Sequence, residues 1–178
     1  MLVTLGLAVP NAEAWESPAR YGLGRPADPA QVQAWDIDVA PDGTGLPTGS
    51  GTVRNGAAIY AQKCAACHGA TGSEGPYETL VGTITLADQI KARKRPARTI
   101  ANIWPYAPVL FDYVRRTMPF LEPGTLSTGD VYSVVGWLLY RNGLLHADST
   151  VDARVLSEIK MPAASLYVQD PRRPWEVK

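Results

Sequence analysis

Cys64-Ala65-Ala66-Cys67-His68 holds both cysteines of this 178-residue chain and one of its two histidines. Two thiols in this spacing, followed at once by an imidazole, suit one task above others. They can form thioether bonds to the two vinyl groups of a single porphyrin, with the next residue set against its iron. A chain built on such an attachment must fold its core around a flat apolar group as well as around its own side chains. A zinc site would need a second pair of ligands, and His146 is the only other cysteine or histidine in the sequence. A thioredoxin-like disulfide would require neither His68 nor the glycine that follows it. Covalent haem c is therefore the expected cofactor, one per chain, with His68 as proximal ligand through a neutral imidazole nitrogen.

The composition, 46% hydrophobic and 19% charged, is that of a globular domain with extensions, not of a disordered or fibrous chain. Prolines and glycines crowd residues 1–51 and recur after the haem motif, so irregular segments are expected around a compact helical centre. A formal charge of zero gives no electrostatic case for nucleic acid or an anionic membrane. Local charge is less even. Lys91, Arg93, Lys94, Arg95 and Arg98 form a basic run, read either as a solvated surface or as a patch that steers a redox partner, while Asp28, Asp36, Asp38 and Asp42 form an acidic stretch.

Leu2 to Val9 is a short apolar run ending near Ala12-Glu13-Ala14, a small-x-small cleavage pattern. It is read as a signal-peptide remnant over 1–14, consistent with the periplasm, where bacterial haem attachment takes place. No stretch is long enough to span a bilayer. The remaining divisions are an irregular arm over 15–51, a haem domain over 52–146 and a C-terminal extension over 147–178. Trp35, Ile37 and Val39 alternate with polar residues and are expected to anchor the arm.

Within the haem domain the pattern predicts a helix over 53–63. Gly56 lies inside it, where a glycine costs about 1 kcal/mol against alanine, so close contact with another backbone is expected there. A second helix is predicted over 108–116 with Leu110, Tyr113 and Val114 on one face. The clearest runs from a capping box at Ser127 and Asp130 through Val131, Val134, Val135, Leu138 and Leu139 to a stop at Gly143. Trp137 and Tyr140 are the bulky groups that a glycine on a crossing helix would accommodate. Val151 to Ile159 is read as a short helix. The fold class is all-α.

The sixth iron ligand separates electron transfer from chemistry at the metal, since a thioether raises the potential and closes the site. Met118, Met161 and His146 are the candidates, with Met1 a trivial one. Met118 is favoured because it falls in the loop between two core helices, whereas Met161 and His146 come after the last one. A haem enzyme or gas sensor with an open distal position is the alternative. Trp104, Tyr106 and Arg98 lie in a segment that could donate hydrogen bonds to haem propionates; for Trp104 and Tyr106 a place in the core is an equal reading. Arg115 and Arg116 are read as a solvated helix end.

Longer strings narrow the field. Trp35-Asp36-Ile37-Asp38-Val39, Asp42-Gly43-Thr44-Gly45-Leu46-Pro47, Gly49-Ser50-Gly51 and then Gly56 and Ile59-Tyr60 precede the haem cysteines. Trp104-Pro105-Tyr106 and Leu110-Phe111-Asp112-Tyr113-Val114-Arg115-Arg116 lead to Met118-Pro119-Phe120. Over about residues 20 to 170 the chain resembles the cytochrome subunits of sulfur-compound dehydrogenases, the SoxD type of sulfane dehydrogenase and the haem subunits of sulfite dehydrogenases. The resemblance implies a class I cytochrome c fold, three to four helices around one covalent haem, with Met118 as distal ligand. It also implies a molybdenum-cofactor dehydrogenase subunit as electron donor. The expected role is electron transfer, not catalysis, with a small soluble cytochrome c as acceptor; service to another periplasmic dehydrogenase is the further alternative.

Overall fold

The structure, a computed structural model, describes residues 21–82 and 98–168. The expected signal remnant and most of the basic run lie outside the described residues. The described chain falls into two units that divide between Asp36 and Ile37.

The first unit carries helix α1, Pro29–Trp35. Asp28 starts it: its carboxylate accepts from the Ala30 amide at 2.8 Å, and Gln31 Oε1 accepts from the Asp28 amide at 3.1 Å. With Pro29 fixing φ in the first turn, this capping box imposes a helix within a stretch expected to be irregular. Trp35 is correspondingly not an anchor; it is 86% exposed.

The second unit begins with the segment that does anchor. Val39 is buried, and its amide donates to the buried Asp112 carboxylate at 3.2 Å. Strand β1, Ser50–Thr52, follows, and Thr52 then caps helix α2, Val53–Lys63, by accepting from the Asn55 amide at 3.1 Å. After the one-turn helix α3, Ala65–His68, come the short α4, Ile100–Ile103, then α5, Ala107–Thr117, and α6, Thr128–Arg141. Strand β2, Thr150–Asp152, pairs antiparallel with β1, Gly51 opposite Val151. Helix α7, Ala153–Glu158, and a 3-10 turn, Pro162–Leu166, complete the described residues. The flanks of the haem domain are thus more ordered than the sequence suggested. Val151 belongs to a strand rather than a helix because Asp152 serves as the cap of α7, accepting from the Val155 amide at 2.8 Å.

The centre is the crossing of α2 and α6. Helix α6 starts at the expected capping box, where Ser127 Oγ accepts from the Asp130 amide and Asp130 Oδ2 from the Ser127 amide, each at 3.2 Å. Residues 131–139 are all buried, so this helix is core on every side over that length. Each of its fully buried valines and leucines contributes about 1.5–3 kcal/mol of apolar transfer. A Cβ built on Gly56 of α2 would overlap the Ser133 carbonyl and stand 2.8 Å from Trp137 Cβ. Trp137 stacks on Tyr60 with ring centroids 3.9 Å apart, and the Arg141 guanidinium lies over the indole at 5.3 Å. Tyr140, expected at the same crossing, is 38% exposed. The β ribbon lies along α6 as well: a Cβ on Gly136 would stand 2.7 Å from Val151 Cγ2.

Helix α5 buries Leu110, Phe111 and Val114, while Tyr113 is half-exposed and tilts against Trp104 at 5.2 Å. Its C-terminal arginines are not simply solvated. Arg115 Nη1 donates to the Ile37 carbonyl at 3.2 Å, and Arg116 pairs with Asp112 one turn back, Nε to Oδ1 at 3.0 Å and a second contact to Oδ2. Asp112 is 5% exposed, so its charge is offset by this fork and by the Val39 amide.

Candidate functional site

The motif folds as a single turn at the end of α2. The Cys64 amide still donates to the Tyr60 carbonyl at 2.9 Å, and the Cys64 carbonyl then accepts from the amides of Cys67, 3.1 Å, and His68, 3.0 Å. Cys64, Cys67 and His68 therefore lie at i, i+3 and i+4, the spacing that puts side chains on one face of a helix. Both cysteines are free thiols. Burial, reinforced by the neighbouring Cys67, pushes the Cys64 thiol up to about 11, whereas Cys67 is exposed.

Two contacts fix the turn. The buried Tyr60 hydroxyl donates to the Gly69 carbonyl at 2.9 Å, holding the chain after His68 against α2; burial pushes its phenol up to about 12, so it remains a donor. His68 Nδ1 lies 2.9 Å from the Glu78 carbonyl oxygen. A carbonyl can only accept, so Nδ1 carries a proton, and in the neutral ring Nε2 has the lone pair that a metal would take.

The intervening loop is itself stitched. Glu74 accepts from the Thr71 amide at 2.8 Å, the Thr71 hydroxyl at 2.6 Å and the Ser73 amide at 3.0 Å, which hold its carboxyl at about 2. Beyond Glu78, the Leu80 carbonyl accepts from Ile100 at 2.9 Å and from Asn142 Nδ2 at 3.1 Å, so the end of α6 positions the strand of chain that follows the histidine's partner. The Glu78 carbonyl and Asn142 carry no motif. Backbone acceptors leave no side-chain signature, and an asparagine one residue after a helix reads as an ordinary cap.

Met118 is the residue at which α5 ends. Its amide donates to the Val114 carbonyl at 3.1 Å, and its side chain is partly buried against the core. An ion pair links its loop to the motif: Lys63, next to Cys64, reaches Glu122, four residues past Met118, at 3.3 Å. Both partners are exposed, so the pair adds little stability, but it places the two segments side by side. Met161 is 3% exposed within the hydrophobic core, and His146 is exposed on the surface after α6. Arg98 is exposed just before α4, Trp104 is partly buried at its end and Tyr106 is 42% exposed at the start of α5.

These residues fit a covalently held porphyrin. Two unpaired thiols and an oriented imidazole share one turn, and Ile59, Leu80, Trp104, Met118 and Leu126 are apolar side chains packed on the core yet only partly covered. Among the described residues no group of three or more His, Cys, Asp and Glu is placed to hold a metal ion without such a group. The helical core crossing beside a haem-attachment turn defines a class I c-type cytochrome.

The comparisons agree on the class and go further. The family profile described as cytochrome C oxidase, cbb3-type, subunit III matches residues 51–138. The chain is similar to the crystal structure of the sulfane dehydrogenase SoxCD from Paracoccus pantotrophus, with 40% identity and a TM-score of 0.74, over 89% of this chain and 76% of that one. No curated protein matches the sequence. The chain belongs to the c-type cytochromes of the SoxD type, those of sulfane dehydrogenase.

Proposed function

We propose that this chain is the monohaem electron-transfer subunit of a periplasmic dehydrogenase whose molybdenum-containing partner oxidises sulfite or a sulfane sulfur. It takes electrons singly from that partner and passes them to a small soluble cytochrome. The similarity to SoxCD over 89% of the chain carries this reading. No helix among the described residues is long and apolar enough to cross a membrane, which suits an exported subunit without demanding one.

When bound, haem c supplies a one-electron couple at its iron. The chain's own residues do the rest. Cys64 and Cys67 would hold the porphyrin through their sulfurs. His68 would ligate through Nε2, the ring nitrogen left free by the hydrogen bond from Nδ1 to the Glu78 carbonyl. Met118 Sδ would close the opposite face, and Trp104, Tyr106 and Arg98 would serve the propionates. A thioether in the sixth position favours the reduced state and excludes small-molecule substrates, the combination that suits a carrier. Met161 is less suited than Met118, because its side chain is enclosed by the core at 3% exposure whereas that of Met118 is only partly covered.

In this reading the chain has an N-terminal arm to about residue 51, a haem domain over 52–146 and an extension beyond it; the pairing of β1 with β2 supports the two flanks lying together on that domain. Stopped-flow mixing of the oxidised holoprotein with the molybdenum subunit and sulfite or a sulfane-bearing thiol tests the function. Haem reduction that depends on both is expected; an oxidised spectrum throughout would overturn the assignment.

A further inference from the structure

Helix α1 has no buried residue. Val32, 52% exposed, and Trp35, 86% exposed, stand three apart on one face, and Tyr21 and Leu23, 83% and 90% exposed, precede them. A seven-residue helix has too few turns to persist in water by propensity alone. This one is nevertheless shaped in advance by the Asp28 to Gln31 capping box and by Pro29. A preformed helix with an exposed tryptophan is suited to lose that surface to a partner, since tryptophan supplies large contact area at little entropic cost.

The chain immediately after the helix is fastened to the cytochrome by the Arg115 bond to the Ile37 carbonyl, 3.2 Å, and the Val39 bond to Asp112, 3.2 Å. The apolar pair is accompanied by exposed Asp28, Asp36 and Asp38, the acidic stretch that haem chemistry does not use. The similarity to the two-component SoxCD spans 89% of this chain, more than residues 37–178 alone can supply, so it extends into this arm.

We infer that α1 is a docking element for the molybdenum subunit, placing Val32 and Trp35 in an apolar groove with a basic rim on that partner. The inference rests on the function proposed above. Burying a central tryptophan is the kind of contact that dominates an interface, and acidic residues at its rim steer encounter more than they hold the complex.

The test compares full-length holoprotein with the Val32→Ser, Trp35→Ala double variant, titrated against the molybdenum subunit by calorimetry. The substituted side chains are exposed, so haem spectrum, melting temperature and reduction by dithionite should match the parent. Affinity for the partner is expected to fall by about a hundredfold. Asp36→Lys should slow association, more strongly at low salt. Equal affinity of parent and double variant would overturn the docking role while leaving the subunit assignment intact. A parent that does not bind the molybdenum subunit would overturn that assignment and this inference with it. Loss of self-association in the variant, with partner affinity unchanged, would assign the helix to a second copy of the chain and overturn the occupant named here.

Discussion

Gly56 and the Ser133 carbonyl touch across the crossing of α2 and α6, so closely that a Cβ on Gly56 would overlap that oxygen. The obstruction is backbone, which cannot rotate away, and Trp137 Cβ at 2.8 Å blocks the other direction. Gly56→Ala therefore gains helix propensity, about 1 kcal/mol, and loses more through forced separation of the helices. A net destabilisation of about 2 kcal/mol is expected, seen as a lower denaturant midpoint of the holoprotein. An unchanged or raised midpoint would show that the helices do not cross at this glycine.

Asp112 ties two segments together: its own helix through Arg116, and the incoming chain through the Val39 amide. Asp112→Ala leaves a buried amide without an acceptor and should cost about 2–3 kcal/mol in chemical denaturation. Asp112→Asn keeps an acceptor for Val39 and weakens only the contact to the half-exposed Arg116, so about 1 kcal/mol is expected. Equal losses in the two variants would show that the charge, and not the bond to Val39, is what matters.

Glu74 gives the haem-side loop a dependence on acid. Its carboxyl is held at about 2, mainly by the Thr71 hydroxyl and amide and then the Ser73 amide, against an ordinary value of 4.5. A value depressed on folding adds stability that is complete above about 4.5 and disappears as pH falls through about 2. Acid titration of the melting temperature should slope across that window in the parent and slope less in Glu74→Gln. Identical profiles would remove Glu74 from the account.

Some of this could be read from residue order and some could not. Cys64, Cys67 and His68 declare their chemistry by spacing, and α6 declares itself by a capping box followed by a helical apolar stripe. Gly56 was legible because it violates propensity inside an otherwise sound helix. Strands β1 and β2, three residues each, are too short to show a period of two, and their pairing joins positions about a hundred residues apart. Helix α1 lies in a stretch that reads as irregular, because seven residues are too few to show a helical period and only the capping box at Asp28 marks it. Nothing in the sequence marks Asp112 as buried; its burial depends on Val39 arriving from a distant segment. The orientation of His68 rests on a backbone carbonyl, which no residue type announces.

On the function proposed above, Met118 would be the second protein ligand to the haem iron, with His68 the first. Absorption spectroscopy of the oxidised holoprotein and its Met118→Ala variant tests it most directly. The account predicts a thioether-to-iron charge-transfer band in the parent, its disappearance in the variant and a lower reduction potential there. A band that is absent from the parent, or that survives the substitution, would contradict it.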